Sequence, residues 1–498
     1  MRIFSIFFGN KLQYHLSLPQ KQATIENRIL HSPKNGQSLP LNTEYNLTFF
    51  IFCGIMLAIG ILNNKREQFM NQELAVGIDF GTSNSLVAVA RDQDTIQPVE
   101  LAAKDPVVPT ALFFEKDGPV RYGKEAISSY LSGVPGRFMR EIKTLLGSKT
   151  ETEGTVVNGR FLSFADLIKM FVCFLKLQAE QKVKQPLDNI VMGRPVHFND
   201  NPDEDKAAEK ALRSICHQAG FKNIGFQYEP IAASLHYERN IQAEELSLVA
   251  DLGGGTSDFS VIRLSPNSHH KVDRSSDVLA NDSIHLAGTD LDYNFAYDIV
   301  MPHFGKEGHQ KNGLPIPYFY YFTACTWHEI RKMYTPSYLA DCQSMLMRVQ
   351  HPELFGRYVS MVKKGKGHHV LFETEDSKIR LSQQEKSELD LTEIEPDFYI
   401  PVTKEEFLKS TREVRQRIVL KAYETLKMSG AKPDDIKNII FTGGTSLVPA
   451  ISEKIRGLCP KAQVQKISTF SAVGEGLALD AAHRYGINRA PLRKQTER

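Results

Sequence analysis

Two stretches of the chain share one pattern of short apolar, β-branched runs on either side of a glycine-containing turn. In the first stretch the runs at 74–79 and 85–90 flank the turn 80–84. In the second, runs between 246 and 264 flank the turn 252–257. Each stretch predicts a β-hairpin, because a short glycine-containing segment joins two strand-like runs. Since the pattern occurs twice, with a long helical stretch between, it predicts two related lobes that face each other.

A third glycine turn lies in the last third of the chain. The apolar run 439–441 leads into Thr-Gly-Gly-Thr-Ser at 442–446, and a helical pattern follows over 447–458. A strand, a Gly-Gly turn and a helix N-terminus in this order favour contact with an anion or a nucleotide. A plain tight turn is the alternative interpretation. A further helix is predicted at 471–485.

The N-terminal extension, residues 1–70, contains an uncharged apolar run at 47–62. At about 16 residues this run is marginal for a membrane span. If it is inserted, Lys65 and Arg66 favour a cytoplasmic location for everything that follows. The alternative is that translation begins at Met70, directly before the first predicted strand. Both interpretations predict a cytoplasmic main domain, with a membrane as partner only if 47–62 is an anchor.

Composition narrows the class of protein. The 498 residues are 42% hydrophobic and 24% charged, which is typical of a soluble globular chain with more than one core. The net charge of +2 does not favour nucleic acid as a partner. Six cysteines without a C-x-x-C pair predict neither a zinc site nor a disulfide framework, and they favour a reducing compartment.

The residue types in the two hairpin turns suit phosphate binding. Glycines let backbone N–H groups approach phosphate oxygens, and the hydroxyls of Thr82, Ser83 and Thr256 add donors. Asp79 and Asp251 end the strands before the turns, where carboxylates can hold a hydrated magnesium ion. Two such turns together predict a clamp on one polyphosphate, whereas each turn alone is also consistent with a purely structural hairpin.

Four motifs in this order resemble the ATPase domain of the DnaK/heat shock protein 70 chaperone family, and the likeness runs from about Leu74 to Gly486. They are Ile-Asp-Phe-Gly-Thr-Ser at 78–83, Phe-Gln-Tyr-Glu-Pro-Ile-Ala-Ala at 226–233, Ala-Asp-Leu-Gly-Gly-Gly-Thr-Ser-Asp at 250–258 and Thr-Gly-Gly-Thr at 442–445. The resemblance implies an α/β, actin-like (ribonuclease-H-like) two-lobed ATPase fold with a central nucleotide cleft. It places lobe I at 74–240, lobe II at 243–485 and a short polar tail at 486–498.

The resemblance also implies the site residues. The catalytic candidates are Lys143, Glu229, Asp251 and Thr256, and the magnesium candidates are Asp79, Glu229, Asp251 and Asp258. The nucleotide-binding candidates are Asp79, Gly81, Thr82, Ser83, Asn84, Gly253, Gly254, Gly255, Thr256, Gly288, Glu375, Lys378, Ser382, Gly443, Gly444 and Thr445.

Three of these roles have a simpler alternative. Lys143 is expected to position the water that attacks the γ-phosphate, since this reaction needs charge neutralisation and a held water; otherwise it is a solvated lysine. Glu229 is expected to order the metal's water shell and report nucleotide state, or else to cap a helix before Pro230. Glu375, Lys378 and Ser382 share a helical face and are expected to grip adenosine, or else form a solvated charged face.

The chain departs from the family at several points. Leu447 stands where many members have an arginine beside the adenine, which predicts weaker stacking of the base. Residues 301–370 form a divergent insertion with an aromatic block and a basic loop, for which core packing and solvation are the simpler readings. The strand end 192–195 and the motif at 226–230 resemble the short YegD-like branch.

After the helix at 471–485 only 486–498 remain, which is too short for the family's peptide-binding β-sandwich and lid. We therefore expect an ATP-binding and ATP-hydrolysing, chaperone-like conformational switch without that domain. Its expected ligands are ATP/ADP and Mg²⁺, and its partners unfolded-protein clients or co-chaperones. A nucleotide-binding regulator with little or no turnover and an actin-like or sugar-kinase-like relative are the alternatives.

Overall fold

The computed structural model describes residues 73–487, except 93, 102–104, 148–152, 200, 328 and 466–467. The apolar run 47–62, the start at Met70 and most of the tail at 486–498 lie outside the described residues. No helix in this described part is both long and apolar enough to cross a bilayer.

The strands and helices alternate along the chain in a mixed α/β order. The strands are β1 (Ala75–Phe80), β2 (Asn84–Ala90), β3 (Ile96–Pro98), β4 (Val107–Pro109), β5 (Ala111–Glu115), β6 (Val120–Tyr122), β7 (Gly136–Arg140), β8 (Gly154–Val157), β9 (Arg160–Ser163), β10 (Asn189–Arg194), β11 (Asn223–Tyr228), β12 (Glu245–Leu252), β13 (Ser257–Leu264), β14 (Val278–Ile284), β15 (Lys386–Asp390), β16 (Tyr399–Thr403), β17 (Ile436–Thr442) and β18 (Gln463–Val464). The α-helices are α1 (Gly123–Leu131), α2 (Phe164–Val183), α3 (Pro202–Gln218), α4 (Glu229–Glu238), α5 (Gly288–Phe295), α6 (Phe319–Cys325), α7 (Pro336–Leu346), α8 (Pro352–Lys364), α9 (Gly367–Leu381), α10 (Lys404–Ser410), α11 (Arg412–Met428), α12 (Pro449–Leu458) and α13 (Ala472–Arg484). Short 3₁₀ helices include Ile142–Gly147 and Gly444–Leu447.

Two large sheets follow the same plan. In the first, the order is β11-β10-β1-β2-β3, with β4 also paired to β2. In the second, the order is β18-β17-β12-β13-β14. Each sheet has an antiparallel meander (β1-β2-β3 or β12-β13-β14) and two parallel strands added beside the first strand of that meander. Both predicted hairpins and the predicted internal repeat are therefore confirmed.

A buried layer separates the two sheets. Apolar residues of β1, β2 and β10 on one side and of β12, β13 and β17 on the other pack against α4 and α13. The opposite face of the first sheet packs against α2 and α3, and the second sheet has its own large core. Because helices cover both faces, the central strands read as continuous apolar runs.

Small residues let the helices of this layer approach closely. A Cβ added at Gly476 of α13 would lie 1.9 Å from the carbonyl oxygen of Ala232 in α4. A Cβ added at Gly77 of β1 would lie 2.2 Å from the backbone nitrogen of Ala478. Side chains at these positions would force the backbones apart, so glycine is what permits this packing.

The divergent stretch 301–370 has a mixed character. Tyr320 and Tyr321 are fully buried in the core of the second sheet, as core packing predicts, whereas Tyr318 is 70% exposed. The predicted basic loop is mostly helical, since Lys363 and Lys364 end α8 and His368 and His369 lie in α9. Lys364 donates to the carbonyl oxygen of Ile394 at 3.0 Å, and Lys366 pairs with Glu393. These lysines are thus bound to a neighbouring loop rather than freely solvated.

Candidate functional site

A cavity of about 790 Å³ lies where the hairpin turns of the two sheets come together. The turns are in contact, since a Cβ added at Gly254 would lie 2.1 Å from Ser83 Oγ. The predicted site residues that line the cavity are Asp79, Gly81, Thr82, Ser83, Asn84, Lys143, Glu229, Asp251, Gly253, Gly254, Thr256, Asp258, Gly443 and Gly444. This size suits a nucleotide-sized ligand.

The first turn is held from behind by one residue. Thr110 Oγ1 donates to the carbonyl oxygen of Gly81 at 2.8 Å, and the Thr110 N–H donates to the carbonyl oxygen of Ser83 at 2.8 Å. Thr110 itself is buried. These two bonds fix the turn between β1 and β2, with Asp79 near the end of β1 beside it.

The second turn is braced on its carbonyl side. Thr445 Oγ1 donates to the carbonyl oxygen of Gly253 at 2.6 Å, and both the N–H and the hydroxyl of Thr289 donate to that of Gly254 at 2.8 Å. Because a trans peptide points its N–H opposite to its C=O, the following amide N–H groups point to the other side of the turn. Thr445 therefore supports the turn, and so does Gly288, whose N–H lies 3.4 Å from the Gly253 carbonyl oxygen.

The third turn requires glycine at position 443. Gly443 has φ 76° and ψ 148°, a conformation that is essentially restricted to glycine. A Cβ there would lie 2.3 Å from the carbonyl oxygen of Leu252 and 2.9 Å from Asp251 Oδ1. The predicted strand–turn–helix order is confirmed, but α12 begins at Pro449 rather than 447. Proline fixes the first helical position there, and the preceding residues form a 3₁₀ turn.

Lys143 and Glu229 form a direct pair inside the cavity. Lys143 lies in the 3₁₀ helix Ile142–Gly147, and its Nζ donates to Glu229 Oε1 at 2.8 Å. Their side chains are only 13% and 12% exposed. Glu229 is the first residue of α4, and no side-chain cap is formed at this helix start. Neither a solvated lysine nor a helix-capping glutamate describes this arrangement.

The carboxyl groups of the site would place an excess of negative charge in a buried space if all of them were ionised. Burial raises the pKa of Asp79 to about 8, with Glu229 adding and Lys143 opposing. Burial and then Glu229 raise the pKa of Asp251 to about 7, and burial raises that of Asp258 to about 6. Burial alone would lower the pKa of Lys143, but the surrounding carboxylates outweigh it and raise the pKa. A bound cation would relieve this repulsion.

The donor set fits a hydrated magnesium ion. Within the described ranges, no three His, Cys, Asp or Glu side chains are arranged as direct ligands of one ion. Mg²⁺ usually keeps several waters and binds through one or two carboxylates and substrate phosphates. Asp79, Glu229, Asp251 and Asp258 all line the cavity, so they suit contact with the ion through water. The magnesium site stays a prediction.

The predicted adenosine-binding residues Glu375, Lys378 and Ser382 are not among the lining residues of the cavity. Lys378 Nζ on α9 donates to Asp292 Oδ2 at 2.7 Å, and its side chain is 11% exposed, so it is not solvated. Burial raises the pKa of Asp292 to about 6, with Lys378 opposing and Glu375 adding. Ser382 Oγ donates to the carbonyl oxygen of Lys378 at 3.1 Å. Gly255 also lies outside the lining set, whereas its neighbours belong to it.

The cavity has walls that the sequence patterns did not single out. Residues 195–199, which follow β10, line it together with 281–283, His285, Thr469 and Phe470. Buried Arg194 holds the first of these loops by donating to the carbonyl oxygens of Pro195 at 3.0 Å and Val196 at 3.2 Å. Since β10 runs parallel beside β1, the loop after it lies at the same sheet edge as Asp79, and this placement is the signal that could have found it.

Comparison with protein families shows to which family the chain belongs. A family model described as Hsp70 protein matches residues 75–314 and 363–490. The chain belongs to the Hsp70 family. Its fold is accordingly the actin-like, two-lobed α/β fold, as predicted. The Hsp70 match leaves out 315–362, which lies within the stretch where divergence is predicted.

Curated Hsp70 relatives agree with this assignment at low identity. The chain is 24% identical over 418 residues to the chaperone protein DnaK of Thermosipho melanesiensis, covering 82% of this chain and 59% of the relative. It is 22% identical over 427 residues to the chaperone protein HscA homolog of Aromatoleum aromaticum, covering 82% and 58%. An HscA homolog of Rickettsia akari is 28% identical over 248 residues, covering 48% and 39%. The chain thus spans about three fifths of the length of the first two relatives. Its likeness to the YegD-like branch stays a prediction.

Proposed function

We propose that this chain binds ATP with Mg²⁺ in the cleft, hydrolyses ATP to ADP and phosphate, and works as a chaperone-type conformational switch. The observation that carries the proposal is the buried Lys143–Glu229 pair, 2.8 Å long, in a cavity that both hairpin turns line. Lobe I at 74–240 and lobe II at 243–485 are part of the proposal, as is a cytoplasmic location.

The residues divide the chemistry among them. The turn amides at 81–84 and 253–256 donate to phosphate oxygens, and the carboxylates around the cleft hold the ion's water shell. Bound Mg²⁺ supplies neutralisation of the phosphate charge. Glu229 fixes the Lys143 ammonium, which orients the attacking water and stabilises charge on the γ-phosphate. The Thr256 hydroxyl lines the same space and supplies a further donor.

The proposed conformational switch follows from the position of the two hairpin turns in the fold. Each turn belongs to a different sheet, so a ligand that contacts both binds a closed arrangement of the sheets more tightly than an open one. Loss of the γ-phosphate changes that preference and so changes the surface offered to a client or co-chaperone. Glu375, Lys378 and Ser382 are proposed to hold the adenosine, with Lys378 already oriented by Asp292.

One observation favours a second candidate, a nucleotide-binding regulator with little turnover. Leu447 is 54% exposed and cannot provide the stacking expected of an arginine at that position. Weaker binding of the base would lower nucleotide occupancy without changing the residues around the γ-phosphate.

Single-turnover hydrolysis by the full chain with Mg²⁺ tests the proposal. Lys143→Ala and Asp251→Asn are each expected to slow hydrolysis by about 10²–10³, the usual cost of losing one preorganised charged group. Lys461→Ala is the matched control, because that lysine is 70% exposed and pairs with Asp434 at the surface. ATP binding without turnover in the wild type would support the regulator, and absence of ATP binding would refute both candidates.

A further inference from the structure

The single tryptophan of the chain joins two distant parts of the fold. Trp327 lies in the divergent insertion 301–370, within the part at 315–362 that the Hsp70 model does not match. The guanidinium carbon of Arg140 lies 4.5 Å from the centroid of its ring, and the Phe138 ring meets it edge-on at 6.0 Å. Both partners belong to β7. The insertion therefore touches the first half of the chain through Trp327.

The tryptophan is held on its other sides by aromatic groups. The rings of His368 and Phe372 meet it edge-on at 4.7 and 5.1 Å. Buried His368 in turn hydrogen-bonds through Nδ1 to the Tyr130 hydroxyl at 2.6 Å, and Tyr130 stacks on Phe138 at 4.7 Å. The ring of Trp327 thus has a defined place between α9 and β7, which allows it to fix the Arg140 side chain.

β7 leads directly to Lys143. Glu141 follows Arg140 with φ 59°, a left-handed conformation that is uncommon for a residue with a side chain. Ile142 comes next and is 1% exposed, and Lys143 follows with its Nζ bonded to Glu229. Strained backbone of this kind persists only where the structure holds the chain on both sides. Ile142 is held by the core, and Arg140 is held by Trp327 and by its pairing with Glu141 at 3.3 Å.

We infer that Trp327 is a positioning residue, which acts through Arg140 and the strained Glu141 to set the place of the Lys143 ammonium in the cleft. The inference rests on the proposed ATPase function. It gives the insertion a role in the reaction although Trp327 does not touch the nucleotide cavity. The cation–π contact is the link, since an arginine over an indole face is the favoured geometry for that attraction.

Single-turnover hydrolysis and ATP affinity, both measured on the full chain, separate positioning from a general structural role. Trp327→Ala is expected to slow hydrolysis about tenfold, which corresponds to about 1.4 kcal/mol of activation free energy. The ATP Kd is expected to change by less than about twofold. Trp327→Phe keeps an aromatic face over Arg140 and should retain most of the rate. Tyr318→Ala is the matched control, since this residue lies in the same insertion and is 70% exposed.

A double-mutant cycle tests whether Trp327 acts through Arg140. Arg140→Met should slow hydrolysis as Trp327→Ala does, and the double variant should be no slower than either alone, because both remove one link. A wild-type rate in Trp327→Ala, or multiplied effects in the double variant, would overturn the inference. If Trp327→Ala does not fold, Arg140→Met decides, and a wild-type rate in it overturns the inference. Failure of the wild-type chain to hydrolyse ATP would instead overturn the proposed function.

Discussion

Replacing Gly476 with alanine adds one methyl group at the contact between α13 and α4. That methyl carbon would lie 1.9 Å from the carbonyl oxygen and 2.6 Å from the carbonyl carbon of Ala232, whereas ordinary contact begins near 3.4 Å. Because the neighbouring atoms are backbone, no side-chain rotation can relieve the overlap. The two helices must move apart by about 1 Å or more, which loosens the layer between the sheets.

Two opposing terms set the size of the effect. Alanine is favoured over glycine inside a helix by about 1 kcal/mol. Overpacking a well-packed interior costs about 1–3 kcal/mol, and sometimes more. A backbone overlap of this depth should cost about 3 kcal/mol or more, the upper end of the overpacking range. Since the helix propensity of alanine offsets about 1 kcal/mol of this cost, Gly476→Ala should lower the free energy of unfolding by about 2 kcal/mol. Gly457→Ala in α12 makes the same change with nothing within 4 Å, and should raise it by about 0.5–1 kcal/mol.

Urea unfolding of the full chain, followed by far-ultraviolet circular dichroism, measures both variants against the wild type. The midpoint should move down for Gly476→Ala and slightly up for Gly457→Ala, with similar slopes. Helix propensity alone predicts the same upward shift for both substitutions. A midpoint for Gly476→Ala at or above that of the wild type would therefore refute the close approach of α13 and α4.

Three further substitutions test other features. Gly443→Ala should cost about 3 kcal/mol in urea unfolding, because its backbone conformation is confined to glycine and a Cβ would lie 2.3 Å from the carbonyl oxygen of Leu252; an unchanged midpoint would contradict this. Arg274→Met should cost about 3–5 kcal/mol, since Arg274 and Glu238 pair at 2.7 Å with both side chains fully buried; adding Glu238→Gln should recover part of the loss. Burial lowers the pKa of His368 to about 3, whereas the pKa of histidine in the unfolded chain is about 6.5. The unfolded state therefore binds more protons, and the free energy of unfolding falls as the pH falls below about 6.5. Between pH 7 and 5 the wild type should lose about 2 kcal/mol that His368→Gln does not lose, and equal losses in both would exclude this assignment.

Local sequence patterns were sufficient to predict the parts of the fold that are formed by residues close together in the chain. The hairpins around 80–84 and 252–257 follow from strand-like runs joined by glycine turns, and their repetition predicts the two matching sheets. The motifs of the family added Lys143 and Glu229, which lie 86 positions apart in the chain and meet only in the fold. Neither residue carries a periodic signal of its own, so spacing alone did not pair them.

Other features depend on contacts that sequence patterns do not encode. Residues 195–199, Thr469 and Phe470 line the cavity from irregular loops, where no period distinguishes a wall of the site from the surface. The roles of Gly288 and Thr445 as braces of the second turn appear only once α5 and the third turn are placed against it. The contact between Trp327 and Arg140 likewise joins segments about 190 residues apart, beyond the reach of any local rule.

The packing of α13 against β1 has a consequence for how the chain acquires its structure. Gly77 and Ala478 touch although about 400 residues separate them. Contacts of such sequence separation form late, because closing a long loop precedes any stabilisation that the contact brings. During synthesis the apolar face of β1, β2 and β10 therefore emerges long before α13, which covers it together with α4. Until α13 docks, that face is exposed to other unfinished chains, so the nascent protein is itself expected to need protection from aggregation.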